Sequence, residues 1–323
     1  MNLSTPPATP AAAKPAPAWR PKIIPAFFTA LLLIHLLALL ALTPYCFAWW
    51  GPVLVVVFTC IFGTAGINLG YHRLLTHRAL EVPRWLERTL TVLGMCSLQG
   101  SPIRWVTTHR MHHQHGDDEN DPHSPQESFF WGHMQWIFST NPQMDRLSTF
   151  ERYSPDLLTD PFYRWLHRGI NWVWVYLAHA AVLTAAGYGV GWLVTGTAAG
   201  ALQVGVQVFV WAVVVRTVYV WHATWLVNSA AHRWGYRNYS TDDKSRNNWW
   251  VALMSNGEGW HNNHHAAPRS AAHGHKWYEF DVTWVYIWVL RKVGLAKNVV
   301  PIKVASYKQV SDEPAPGTGP SVS

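Results

Sequence analysis

Charged side chains are what this sequence has least of. Asp, Glu, Lys and Arg make up 13% of its 323 residues, where a soluble domain carries about 25%. So few charges cannot cover a water-facing surface of ordinary extent, and the chain reads as a membrane protein. Cysteine is also sparse. Cys46, Cys60 and Cys96 form no C-x-x-C pair and no even-numbered framework, which excludes a disulfide scaffold, a c-type haem attachment and an iron–sulfur cluster. All three lie in apolar sequence and read as inert packing residues. There is no G-x-G-x-x-G fingerprint, and G-Y-G-V-G at 187–191 falls inside an apolar run as a packing feature. The absence of H-E-x-x-H and of any nucleic-acid motif argues against a zinc hydrolase and a nucleic-acid binder. Glu258 and His261 form a single E-x-x-H pair. A ferritin-like di-metal bundle needs two such pairs on separate helices, so that reading is rejected.

Apolar sequence is abundant instead. Hydrophobic residues make up 49% of the chain, and no charged residue occurs from 23 to 71. Apolar runs at about 25–43, 47–69, 170–194 and 201–227 each approach the ~20 residues a helix needs to cross the hydrocarbon core. The expected fold is all-α: four transmembrane helices, with segments 71–168 and 228–305 forming a helical cap that holds a di-metal site. A stretch at 90–98 is too short to span and is expected to dip into or lie on the interface. Residues 1–22 and 306–323 are rich in Ala, Pro, Gly, Ser and Thr and read as disordered arms. Apart from Arg216, every Lys and Arg falls in the N-terminal arm, the middle segment or the C-terminal segment. Four crossings place these three, with both termini, on one side, which the positive-inside rule makes cytoplasmic. Arg216 lies within the fourth run, where a charge at the bilayer centre costs ~2.5–3.5 kcal/mol. Its expected place is where that helix emerges toward the cytoplasm. The net charge of +7 suits anionic lipid or an acidic partner protein. Trp49, Trp50, Trp172, Trp174, Trp221 and Trp225, at span ends, fit an aromatic belt.

The chemistry concentrates at 107–124, T-T-H-R-M-H-H-Q-H-G-D-D-E-N-D-P-H-S. His109, His112 and His113, at i, i+3 and i+4, share one helix face, and imidazoles converging on a small volume are a metal-ligand arrangement. The same H-x-x-H-H spacing returns at His261, His264 and His265. His72 and His77 form an earlier pair, and Asn228 and His232 share a face at the end of the fourth run. Nine imidazoles exceed the four to six positions of one metal and suit two metals with about four or five nitrogens each. Asp117, Asp118 and Asp121, with His115, His123 and His133 nearby, read as partners that orient ligand imidazoles. His35 and His179 lie in spans and are expected to be hydrogen-bonded inside the bundle. His167, His222, His273 and His275 fit interface or ligand-supporting places. Trp105, Trp131 and Trp260 are candidates for lining a narrow apolar tunnel.

These motifs together resemble the integral-membrane fatty acyl desaturases over about residues 45–295. The matching residues are H-R-L-L-T-H at 72–77, H-R-M-H-H at 109–113 with D-P-H-S at 121–124, F-W-G-H-M at 130–134, N-S-A-A-H at 228–232 and G-E-G-W-H-N-N-H-H at 257–265. The resemblance implies an oxidoreductase, similar to stearoyl-CoA and acyl-lipid Δ9 desaturases. Such an enzyme uses O₂ and two electrons at a di-iron centre to place a cis double bond in a saturated acyl chain. It implies that the nine histidines hold two Fe ions, that Asn228 reaches a metal through water, and that four membrane helices lie under a cytosolic cap. A ferredoxin or a cytochrome b5-like protein is the expected electron donor, because the chain carries no redox group of its own. Family members that use acyl-CoA commonly carry Arg-Asp just before the second histidine motif. Thr107-Thr108 stand there in this chain, which resembles the branch acting on lipid-bound chains. A membrane di-iron alkane or lipid hydroxylase is the alternative, separable by an added oxygen in the product.

Overall fold

The computed structural model describes residues 21–304 and 306–310, so most of the two expected arms lies outside the described residues. Eight helices frame the site: α1 (Pro25–Leu42), α2 (Gly51–Thr76), α3 (Arg84–Met95), α4 (Pro102–His115), α5 (Asn171–Thr195), α6 (Ala198–His232), α7 (His261–Ala266) and α8 (Val282–Lys292). Shorter helices fill 129–167. Among the described residues there is no strand, only isolated antiparallel pairs such as Glu81 with Lys297. The all-α reading holds, and α1, α2, α5 and α6 are each long and apolar enough to cross a membrane. One expectation needs correcting at the C-terminal end. Residues 306–310 are clipped to the 238–240 loop, with Ser240 N donating to Lys308 O at 3.1 Å and Val310 N to Asn238 O at 2.9 Å. The Pro/Gly-rich composition that suggested disorder begins only beyond them.

The second helix overshoots its apolar run, continuing past Leu69 to Thr76 and carrying His72 on its final turns. Residues 59–76 are wound widely, with five-residue hydrogen bonds such as His77 N to His72 O at 3.1 Å. On an α-helix, residues five apart point about 140° away from each other. The wider winding, common at functional sites, swings them to one side, and the His72 and His77 rings lie 4.8 Å apart. Close contact also needs small residues. A Cβ on Gly66 would sit 2.4 Å from Gly94 N, so α2 and α3 touch backbone to backbone. Gly187 and Gly191, the expected packing feature, do the same for α5 and α6. Added Cβ atoms there would lie 2.7 and 2.8 Å from Val208 and Val204, the small-residue contact typical between membrane helices.

Arg216 does not sit at an exposed helix mouth. It is fully buried and donates to Ala212 O at 3.1 Å, Cys96 O at 2.7 Å and His179 Nε2 at 2.8 Å, with its guanidinium 4.7 Å from the Phe62 ring. The reason is twofold. The fourth span runs on to His232, which leaves position 216 deep in the bundle. Its backbone acceptors are Ala212 O, within another widely wound stretch at 209–215, and Cys96 O, just beyond the end of α3, where helix carbonyls lack intrahelical partners. His179 and His35 are hydrogen-bonded inside the bundle as expected, to Tyr176 O and Leu31 O.

One buried cation fastens the cap to the spans. Arg73 donates to both Asp281 oxygens at 2.8 and 2.9 Å, to Glu258 Oε1 at 2.7 Å and to Ala271 O at 2.8 Å. Asp281 also caps α8 by accepting from Trp284 N. The 273–281 loop, the turn before α7 and the end of α2 thus meet at one guanidinium. Gly257 makes the turn possible: at φ +113° a Cβ would lie 2.4 Å from Asp281 Oδ1.

Candidate metal centre

The fourth helix starts at Ser101, whose hydroxyl accepts from Arg104 N at 3.3 Å, with Pro102 in the first turn, an arrangement pre-organised for helix initiation. Arg110 turns away from the histidines and grips the end of α2 through Leu75 O at 2.8 Å and Thr76 O at 3.0 Å, as well as Asp156. Its grip sets α4 against α2, so that histidines of both helices face one interior.

All nine histidines meet there, in two groups. His72, His77, His109, His113 and His264 each offer a nitrogen within 4.8 Å of the others, and so do His112, His232, His261 and His265. The two H-x-x-H-H motifs contribute crosswise. The i, i+4 pair of α4 joins the first group and His112 the second, whereas on α7 His261 and His265 join the second and His264 the first. Three histidines on one helix face therefore do not converge on a single point. Residues 112 and 113 diverge by about 100° around the helix, and that angle spans two adjacent centres. The groups abut, with the His113 and His265 rings stacked 4.4 Å apart.

Nitrogen spacings within the groups are informative. Nε2 of His264 lies 3.1 Å from Nε2 of His72 and 2.9 Å from Nε2 of His113, which is 3.1 Å from Nε2 of His109. In the second group Nε2 of His261 lies 3.0 Å from that of His232 and 3.1 Å from that of His265. Two metal–nitrogen bonds of about 2.1 Å at right angles place their nitrogens ~3.0 Å apart. Carboxylates settle which nitrogens carry protons. His72 Nδ1 donates to Glu258 at 2.6 Å, His112 Nδ1 to Asp121 at 2.9 Å, His232 Nδ1 to Asp117 at 2.9 Å, and His265 Nδ1 to Asp243. Each of these rings then turns a bare Nε2 lone pair inward, the arrangement that fixes a metal-ligating tautomer. Nε2 of His77 and of His112 has no hydrogen-bond partner among the described residues despite full burial. Lone pairs facing one another in a dry interior are costly unless a cation joins them. The donor set fits two metal ions.

Protonation points the same way. Burial first, then neighbouring imidazoles, hold His77, His109, His113, His261 and His264 well below the ordinary imidazole range, leaving them neutral as metal binding requires. His265 is lowered by burial against the pull of Asp243. For His112 burial is outweighed by Asp121, Asp117 and Asp243, which raise it. Glu258 stays ionised because Arg73 and His273 overcome its burial.

Asp117 and Asp121 thus stand where the sequence suggested, and the His123 ring packs 4.4 Å from His112. Asp118 instead pairs with His115 near the surface. Glu258, Asp243 and Arg73 are partners that the sequence reading missed in these roles. His273 is buried 3.2 Å from Glu258, with its ring 4.4 Å from that of His264. Asn228 belongs to neither nitrogen group but is buried between two cavities. The larger, of about 360 Å³, reaches from α1 past Trp131 and Trp136 to His109 and Asn228. The smaller runs between α2 and α6 beside His72, His109 and His261. Both are lined by Trp105, His109, Thr224 and Asn228, so the two cavities adjoin beside the histidine groups. That junction is braced by Gln99, which donates to Thr224 at 2.9 Å and accepts from Trp105 Nε1 at 3.2 Å. Trp260 lines neither cavity; its indole donates to Phe280 O at 2.9 Å and its ring packs in the cap.

A family model described as fatty acid desaturase matches residues 47–291, a span that contains every histidine of both groups. An sn-2 palmitoyl-lipid 9-desaturase of Nostoc sp. (strain 36) is 44% identical over 82% of this chain and 86% of its own length. An sn-1 stearoyl-lipid 9-desaturase of Anabaena variabilis is 41% identical over 85% of this chain and 92% of its own. An acyl-CoA 5-desaturase of Anemone leveillei is 39% identical over 85% and 79%. With its four candidate spans and paired imidazole groups, this chain belongs to the fatty acid desaturase family, as an integral membrane oxidoreductase.

Proposed function

We propose that this chain is an acyl-lipid Δ9 desaturase: it removes two hydrogens from adjacent methylenes of a lipid-bound saturated chain, leaves a cis double bond and reduces O₂ to two waters with two electrons and two protons. The observation that carries this reading is the pair of adjoining cavities, lined in common by Trp105, His109, Thr224 and Asn228, that lie beside both histidine groups. His72, His77, His109, His113 and His264 would hold one iron. His112, His232, His261 and His265 would hold the other, with Asn228 reaching it through water. When bound, the iron pair supplies the oxidising power that an unactivated methylene demands.

Selection is then geometric, because successive methylenes are chemically alike. Trp105 and Thr224, braced by Gln99 where the cavities adjoin, would bring one pair of carbons beside the imidazoles, while the apolar walls exclude water. Glu258, Asp121, Asp117 and Asp243 keep the ligand nitrogens aimed. Two things support the lipid-bound form: the names of the relatives from Nostoc and Anabaena, and the residues before the second motif. Thr107 is turned inward to Ser154 at 2.6 Å and Thr108 to Arg104 O at 2.9 Å, so neither presents a charge to a soluble thioester. Electrons would come from an acidic carrier, a ferredoxin or a cytochrome b5-like protein, docking on a basic cap at the cytoplasmic face.

Expression in a host lacking desaturase, followed by analysis of acyl chains released from each lipid class, tests the proposal. The expected product is two hydrogens lighter, with its double bond at C9 and found first in intact lipid. A product gaining oxygen, or an unchanged profile in iron-replete cells, would contradict it.

A further inference from the structure

The first helix is a partition one helix thick. Phe27, Ala30, Leu31 and Ile34 line the larger cavity, and their i, i+3, i+4, i+7 spacing is one face of a helix. The opposite face carries Leu32, Leu33 and Leu36, each 46–53% exposed, where a bilayer would lie, while the Phe28 ring packs edge-on 5.4 Å from that of Phe138. Phe27 does both: it lines the cavity and is 44% exposed, so the cavity edge reaches the lipid-facing surface beside it. The facing wall is the segment 136–144, which lines the cavity through Trp136, Ile137, Ser139, Asn141 and Met144.

Besides the packing of Phe28 and Leu31 on Phe138, two sets of hydrogen bonds hold this partition. At its N-terminus Ile24 N donates to Phe138 O at 2.7 Å, and Thr140 N to Lys22 O at 2.8 Å. Further along, among the described residues, the side-chain hydrogen bonds from α1 to other elements come down to His35. Its Nε2 meets His222 Nε2 at 3.1 Å, His222 Nδ1 meets His133 Nε2 at 3.0 Å, and His133 Nδ1 meets Ser229 Oγ at 3.0 Å. This row of three imidazoles belongs to neither metal group. Successive contacts use opposite nitrogens of one ring, so no single cation could collect them. The row joins the partition to α6 and to the short helix Phe129–His133, which also carries Trp131 of the cavity wall.

A lipid-bound chain has a restricted way in. Its glycerol and headgroup stay at the interface, so a path open only to water would drag the whole lipid, with its second chain, out of the bilayer. We propose that the acyl chain of an intact membrane lipid slides sideways from the bilayer into the cavity between α1 and segment 136–144. The helix α1 acts as the door, with its N-terminal clip as hinge and the His35–His222–His133 row as latch. This rests on the acyl-lipid reading above.

Leu31 and Phe138 pack in one cluster across the gap and offer a reversible lock. In a background with Cys46, Cys60 and Cys96 replaced by alanine, a Leu31→Cys, Phe138→Cys protein is loaded with iron. It is placed in vesicles of 1-stearoyl-2-oleoyl phosphatidylglycerol and assayed oxidised and reduced. Oxidation should lower the rate on the vesicle lipid at least about tenfold, as expected when a gating element is locked, and reductant should restore it. An oxidised form that keeps its lipid activity overturns the lateral route. A reduced form that acts on stearoyl-CoA but not on the vesicle lipid identifies failure of the acyl-lipid reading instead, and the route falls with it. If the pair resists oxidation or the protein misfolds, His35→Leu decides, since His35 lines neither cavity. It should shift KM for the lipid-bound chain about three- to tenfold, the effect of one lost hydrogen bond, with double-bond position and iron content unchanged. An unaltered KM overturns the latch.

Discussion

An acceptor at the outer nitrogen fixes a ligating histidine's tautomer, and in this protein four carboxylates supply one to His72, His112, His232 and His265. Asp121→Asn keeps the size of the His112 partner but removes its charge and half of its acceptor capacity. Iron affinity or turnover should fall about 10–100-fold, read as metal per chain after dialysis against a graded chelator. Replacing an inward ligand is harsher. His264→Ala, which leaves Nε2 of His72 and His113 facing a void, should abolish the new double bond and lower bound iron; retained product would remove His264 from the site. At this scale the nine imidazoles were readable because short spacings on helices encode them. Their carboxylate partners were only half readable. Asp117 and Asp121 follow the second motif within a dozen residues. Asp243 lies in a plain T-D-D-K stretch, and Glu258 reaches back to His72 across the whole cap. No local pattern marks such pairs. The usable signal is chemical: a buried ligating imidazole often takes a carboxylate at its outer nitrogen, as four of these nine do.

The elements that position these side chains depart from regular helix at the places that matter. The wide winding of α2 makes a pair of His72 and His77, which sequence spacing alone ranks as weak, and the second wide stretch in α6 carries Ala212, whose carbonyl accepts from Arg216. Hydropathy locates a span but carries no depth, which is why Arg216 read as a helix-end residue when it is interior. Arg216→Leu leaves Cys96 O and His179 Nε2 without their donor, at about 1–3 kcal/mol for each orphaned group. Cys96 O begins the loop that carries Leu98 and Gln99 of the cavity wall. The expected outcome is a lower thermal midpoint in detergent together with a broader spread of double-bond positions. A variant as stable as the parent that still makes one isomer would contradict that role.

At the scale of the whole molecule, both wide-wound spans end on the same side, and the cap closes over them there. Four membrane-length helices and the cap were legible from runs of apolar and polar residues, because bilayer thickness is a global constraint, and the basic runs predict that the cap faces the cytoplasm. The larger cavity was not legible, since its walls come from α1, the 98–105 loop, the 131–144 segment and α6, which no sequence period connects. Orientation can be tested directly with a membrane-impermeant thiol reagent in the cysteine-free background. Glu119→Cys, exposed on the cap, should label only from the cytoplasmic side, and Ala198→Cys, exposed at the α5–α6 turn, only from the other. Labelling of both from one side would refute the arrangement.

The central claim is that nine imidazoles from four helical segments would hold two metal ions, one in each of two adjoining groups. Counting iron in purified, active protein while recording the iron X-ray absorption edge tests it most directly. The account predicts two irons per chain with a nitrogen-dominated shell at about 2.1 Å, and loss of both signal and double-bond formation in His112→Ala. One iron per chain, a sulfur or carboxylate-rich shell, or desaturation that survives loss of His112 would contradict it.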